Sequence, residues 1–138
     1  MSQFLYHDRL RIPASLEELH NVYSWAEEQL IASNIEESKR FDIMLALSEA
    51  VTNAIRHGSS EQPGVNVDIE VEITTSSITI KVHDSGTGFD PHALPDPTQG
   101  HHLYIPNGRG VYLIRTLADK VDFNFSEDGT TVVVSFAR

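Results

Sequence analysis

The chain has 138 residues, enough for one domain with a sizeable core, and its composition, 40% hydrophobic and 22% charged, is that of an ordinary globular protein. Its 20 acidic against 10 basic residues give a formal charge of -10, which disfavours nonspecific binding to nucleic acid or an anionic membrane. The absence of cysteine rules out a disulfide framework and a thiolate metal site; with no signal-like segment or long apolar run, a cytoplasmic setting is expected.

In chain order, Phe4 to Ile12 reads as a strand that meets Pro13, which places it at a sheet edge. Such an edge could pair with a second subunit. Ser15 and Glu18 have capping-box spacing, and Leu16, Leu19, Val22, Tyr23, Ala26, Leu30 and Ile31 trace one helical stripe. A polar break over 33–38 leads into a second helix from Lys39 to His57. Beyond a Gly- and Pro-containing loop, Val65, Val67, Ile69, Val71 and Ile73 alternate with polar residues as a half-buried strand. Ile78, Ile80 and Val82 form its antiparallel partner after a turn at 74–77. From about 89 to 109 the chain lacks periodicity, a length that suits a working lid better than a passive connection. A helix restarts with Val111, Leu113, Ile114 and Leu117, and the strands around Val121–Phe125 and Thr130–Phe136 close as a hairpin. The expected fold is α+β: one domain over 1–138, a two-layer sandwich of a mixed, mostly antiparallel sheet with helices on one face.

Three sparse motifs lie on these elements. Glu49 and Asn53 are four apart on the second helix, so a carboxylate and a neutral amide project from one face. The first can accept a proton and the second can ligate a hard cation, although a solvated helix face has the same spacing. His57 continues that row as a neighbour of the site or a partner of the helix dipole, with Gly58 as the stop. Asp84, Gly86 and Gly88 form D-x-G-x-G at a strand end, where glycines let a ligand approach the backbone; alternatively the aspartate simply caps a tight turn. Gly108, Arg109 and Gly110 open the third helix, either as an anion cradle or as a hinge. His92, His101 and His102 sit in the lid without metal-site spacing.

The order of these motifs, with Gly129-Thr130 entering the last strand, resembles the GHKL group of ATP-binding domains found in gyrase-type ATPases, Hsp90 chaperones, histidine kinases and MutL. EAVTNAIRHG and GRGVYLI look particularly like the stand-alone anti-sigma-factor serine/threonine protein kinases. The resemblance runs from about Leu45 to the C-terminus and implies the two-layer GHKL (Bergerat) sandwich with an ATP lid. It implies ATP and Mg2+ as ligands, Glu49 as general base and Asn53 as the Mg2+ contact. It further implies Asp84 accepting from the adenine amino group, Gly86 and Gly88 lining the adenine pocket, and Thr130 supporting Asp84 and an ordered water. Gly108 and Gly110 would wrap the phosphates, with Arg109 beside them. No dimerisation helix with a phosphoacceptor histidine and no transducer domain is legible in this sequence.

The expected activity is γ-phosphoryl transfer from ATP to a serine or threonine of a small anti-sigma-factor antagonist protein, in a homodimer that also holds a sigma factor. The alternative is a noncatalytic, nucleotide-gated module that sequesters a regulatory partner; hydrolysis with water as acceptor is a third possibility. Neither nucleic acid nor membrane is an expected partner.

Overall fold

A computed structural model describes residues 3–58, 64–85 and 113–138. Five strands, β1 (Phe4–Pro13), β2 (Asn66–Thr74), β3 (Ser77–Asp84), β4 (Lys120–Ser126) and β5 (Gly129–Ala137), form one sheet in the order β1-β2-β3-β5-β4. All four pairings are antiparallel. The alternation that predicted the strands also decides their inner face. Val67, Ile69, Val71 and Ile73 of β2, Ile78, Ile80 and Val82 of β3, and Val132, Val134 and Phe136 of β5 are all buried. Between them stand the side chains of the opposite, open face, all polar except Val133.

Helices α1 (Leu19–Ala32) and α2 (Glu37–Asn53) cover the inner face. Val22, Ala26 and Leu30 repeat every four residues on α1, while Ile43, Ala46, Leu47, Ala50 and Val51 form the corresponding stripe on α2, so each helix buries one side. Ser15 caps a 3-10 turn, Leu16–Glu18, accepting from the Glu17 N–H at 3.4 Å, and α1 begins only after it. Glu18 does not close a capping box; its carboxylate takes an N–H from Asn21 at 2.9 Å. Between the helices Asn34 adopts a left-handed conformation at φ 59°, an angle asparagine tolerates, and reverses the chain. Residues 113–117 form a helical segment, with the Arg115 guanidinium 5.5 Å from the centre of the Phe123 ring on β4.

β1 lies at the sheet edge, as its proline predicted, and β4 and β5 pair as a hairpin. It is β5, however, that lies beside β3, so the hairpin folds back to place the chain's last strand inside the sheet. This brings the start of β5 against the end of β3.

Candidate functional site

Asn53 is the last residue of α2, 8% exposed, and Glu49 stands one turn before it, half-buried. Among the described residues neither side chain has a hydrogen-bond partner. Immediately after Asn53 the helix widens into a π-helical turn, Ala54–Gly58, which buries Ala54 and Ile55 and packs against β3. Wide turns of this kind free backbone groups from the regular ladder and are frequent at functional sites. The turn sets the amide-bearing end of α2 beside the strand that carries Asp84. On the other side of α2, the Tyr23 hydroxyl and the Ser48 Oγ share a 2.7 Å hydrogen bond that ties α1 to the residue before Glu49.

Asp84 ends β3 and is 3% exposed. Its register partner across the ladder is Thr130, 1% exposed. A carboxylate and a hydroxyl therefore face each other in a place where neither is freely hydrated. Among the described residues the Thr130 Oγ1 has no hydrogen-bond partner, a state that costs a buried hydroxyl about 1–3 kcal/mol unless something else meets it. Gly129 makes this approach possible. At φ 132° it lies where side chains are strained, and a Cβ there would fall 1.8 Å from the Asp84 carbonyl oxygen. The start of β5 can thus press against the end of β3 only through a residue without a side chain.

The structure thus brings Asp84 and Thr130 together and sets Glu49 and Asn53 on the adjacent helix end. Gly86, Gly88, Gly108, Arg109 and Gly110, the lid about 89–109 and its three histidines lie outside the described residues. Among the described residues no group of three or more His, Cys, Asp or Glu side chains could hold a metal. The sequence motifs missed the π-helical turn, the Tyr23–Ser48 tie and the close approach at Gly129. Only the last left a signal, a glycine opening the final strand.

Residues 12–136 match the model of the histidine kinase-like ATPase domain. The chain is 31% identical over 137 residues to the serine-protein kinase RsbW of Staphylococcus aureus, covering 89% of this chain and 81% of that one. It is 28% identical over 103 residues to RsbW of Listeria innocua, covering 68% of this chain but only 63% of the relative, so it spans less than two thirds of that protein's length. Among solved structures, the SiaB–SiaC complex of Pseudomonas aeruginosa superposes with a TM-score of 0.68 at 11% identity, covering 97% of this chain and 90% of that one. The RsbU and RsbW domains of a Mycobacterium tuberculosis protein superpose at 0.61 and 20% identity, covering 95% of this chain and 33% of that one. At those identities the structural likeness establishes the fold. The chain belongs to the histidine kinase-like ATPase family, as a GHKL-type ATP-binding domain related to the RsbW-like anti-sigma-factor kinases.

Proposed function

We propose that this single domain is a cytoplasmic serine/threonine protein kinase that transfers the γ-phosphoryl group of ATP to a small anti-sigma-factor antagonist and, as a homodimer, also holds a sigma factor. The observation that carries the nucleotide reading is the buried Asp84 beside the Thr130 hydroxyl, which lacks a partner among the described residues, with Gly129 letting the two strands meet there. A carboxylate at that depth takes an N–H donor. Adenine offers its exocyclic amine, whereas guanine offers a carbonyl oxygen at the equivalent position, so the pocket selects ATP over GTP. Gly86 and Gly88 let the ring approach the backbone, and Thr130 meets the ring or a water held next to it. Gly108, Arg109 and Gly110 bind the phosphates.

At the other end, Asn53 would hold a Mg2+ ion, which would supply positive charge to the phosphates and, keeping most of its waters, would need few protein ligands. Glu49 takes the proton from the attacking serine or threonine hydroxyl as its oxygen bonds to the γ-phosphorus and the bond to the bridging oxygen breaks, releasing ADP. The Tyr23–Ser48 bond fixes the helix turn that carries this base. The serine-protein kinase name of the 31% identical relative supports the choice of acceptor. Edge strand β1, with Phe4 66% and Leu5 48% exposed, is the surface through which a second copy pairs.

The test is transfer of labelled γ-phosphate to antagonist-type proteins encoded near this chain's gene. Wild type should label a serine or threonine, and Glu49→Gln should bind ATP normally yet transfer at least about a hundredfold more slowly. Binding without transfer by the wild type to any of these acceptors contradicts the kinase reading and favours the nucleotide-gated module.

A further inference from the structure

The open face of the sheet, opposite the helices, holds a cleft of about 540 Å³ lined by Arg9 and Arg11 of β1, Asp68 and Glu70 of β2, and Lys81 and His83 of β3. Nothing in the nucleotide reading uses it. Strand register lays these side chains out in rows, Arg11 opposite Asp68 and Arg9 opposite Glu70, with His83 and Lys81 on the other flank. An acidic strand therefore runs between two cationic ones.

The rows do not cancel. Arg11 makes a closed pair with Asp68, Nε to Oδ1 at 2.7 Å and Nη2 to Oδ2 at 3.3 Å. The Glu70 carboxylate, by contrast, is shared by Arg9 Nε at 2.6 Å, His7 Nε2 at 3.2 Å and Lys81 Nζ at 3.4 Å. One negative charge thus faces two permanent cations and a titratable one. Arg9 uses only its Nε, so both terminal amino groups of a side chain 77% exposed lack a partner among the described residues. His83 spends its Nδ1 on the Thr131 hydroxyl at 2.8 Å, leaving Nε2 over the cleft. In a chain of formal charge -10, this is a concave surface with an excess of donors and positive charge.

Spacing narrows the occupant. Lys81 and His83 are two residues apart on β3, a repeat of roughly 6.8 Å, and Arg9 stands in the row of Lys81 on the far side of Glu70. An extended polypeptide presents alternate side chains at the same repeat. We propose that the open-face cleft docks an extended acidic segment of a partner protein, with Asp or Glu at alternate positions meeting the unspent donors of Arg9 and Lys81 and the imidazole edge of His83. A second copy of the chain would bring the same cationic excess to a face-to-face contact, so charge complementarity favours an acidic partner. Because these side chains point away from the helices, the segment docks whether or not nucleotide is bound.

The probe is a fluorescein-labelled peptide of four Glu-Thr repeats, titrated by anisotropy at low ionic strength against the full chain, beside a block peptide of four Glu followed by four Thr. The alternating peptide should bind at least threefold tighter than the block. Its affinity should fall at least tenfold in Arg9→Gln/Lys81→Gln and stay within twofold in Lys39→Gln/Arg40→Gln, which removes the same charge from α2. Arg9 and Lys81 are 77% and 45% exposed, so the double variant should fold, as its circular dichroism would verify. Equal affinity for the two peptides, or equal losses in the cleft and α2 variants, would overturn the proposal. So would conversion of a dimer to a monomer by the double variant in sedimentation, since the face would then belong to a second copy.

Discussion

Replacing Gly129 by alanine perturbs the candidate site without removing any polar group from it. The added Cβ would fall 1.8 Å from the Asp84 carbonyl oxygen, where contacts below 3.0 Å essentially never occur, so β3 and β5 must part there by at least the 1.2 Å difference. A ladder hydrogen bond stretched that far is lost, at about 0.5–1.5 kcal/mol each for one or two bonds. Holding alanine at φ 132° adds strain of about 1–3 kcal/mol. Together these give a loss of about 1.5–6 kcal/mol, a large part of the stability of an ordinary domain. Thermal denaturation should show Tm falling by roughly 10–20 °C, with urea unfolding shifting in parallel. Because Asp84 and Thr130 separate, ATP affinity measured well below the new Tm should also drop, by at least about tenfold. A Tm within about 3 °C of wild type together with unchanged ATP affinity would refute the close approach at this corner and the pocket built upon it.

Thr130→Val keeps shape and removes the buried hydroxyl that has no partner; stability should hold or rise by about 1 kcal/mol in urea titrations while ATP affinity falls, and a loss of both would show that the hydroxyl is structural. Asn53→Ala should abolish the Mg2+ enhancement of ATP binding seen by calorimetry while leaving metal-free binding within about threefold. Glu70 supplies a test in pH. Burial alone would raise its pKa, but hydrogen bonds from His7 and Arg9 and the field of Lys81 outweigh burial and hold the carboxyl below its ordinary value. The unfolded chain then takes up the proton first, so the stabilisation is present above the ordinary pKa and is lost as pH falls through the lowered one. The stability difference between wild type and Glu70→Gln should accordingly shrink between about pH 5 and pH 3, and a difference that stays constant would contradict the ion-pair cluster.

Periodicity carried most of the fold. The alternation of Val67 to Ile73 and of Ile78 to Val82 marked both strands and their buried face, because a residue's side on a pleated strand is a local property. Pro13 likewise marked β1 as an edge, since a missing N–H is local chemistry. Neighbour order was a different matter. That β5 lies between β3 and β4 depends on how the final hairpin is laid on the sheet, and neither strand's pattern records that. The candidate site divides in the same way. Asp84, Glu49 and Asn53 stand out as polar residues at strand and helix ends, whereas the contact between Gly129 and the Asp84 carbonyl exists only once two distant segments meet. The π-helical turn after Asn53 was hidden because Ala54, Ile55 and Arg56 continue an ordinary helical pattern. The open-face cleft was equally hidden: Arg9, Glu70 and Lys81 are polar positions of separate strands until register places Arg9 and Lys81 around the Glu70 carboxylate.

The central claim is that Asp84 reads the amine of adenine from a buried position. Calorimetric titration of the wild-type chain and of Asp84→Asn with ATP and with GTP, each with Mg2+, tests it most directly. The account predicts tight ATP binding, GTP binding at least about a hundredfold weaker, and a loss of at least about a hundredfold in ATP affinity in Asp84→Asn with circular dichroism unchanged. Equal binding of the two nucleotides, or full ATP affinity in the variant, would contradict it.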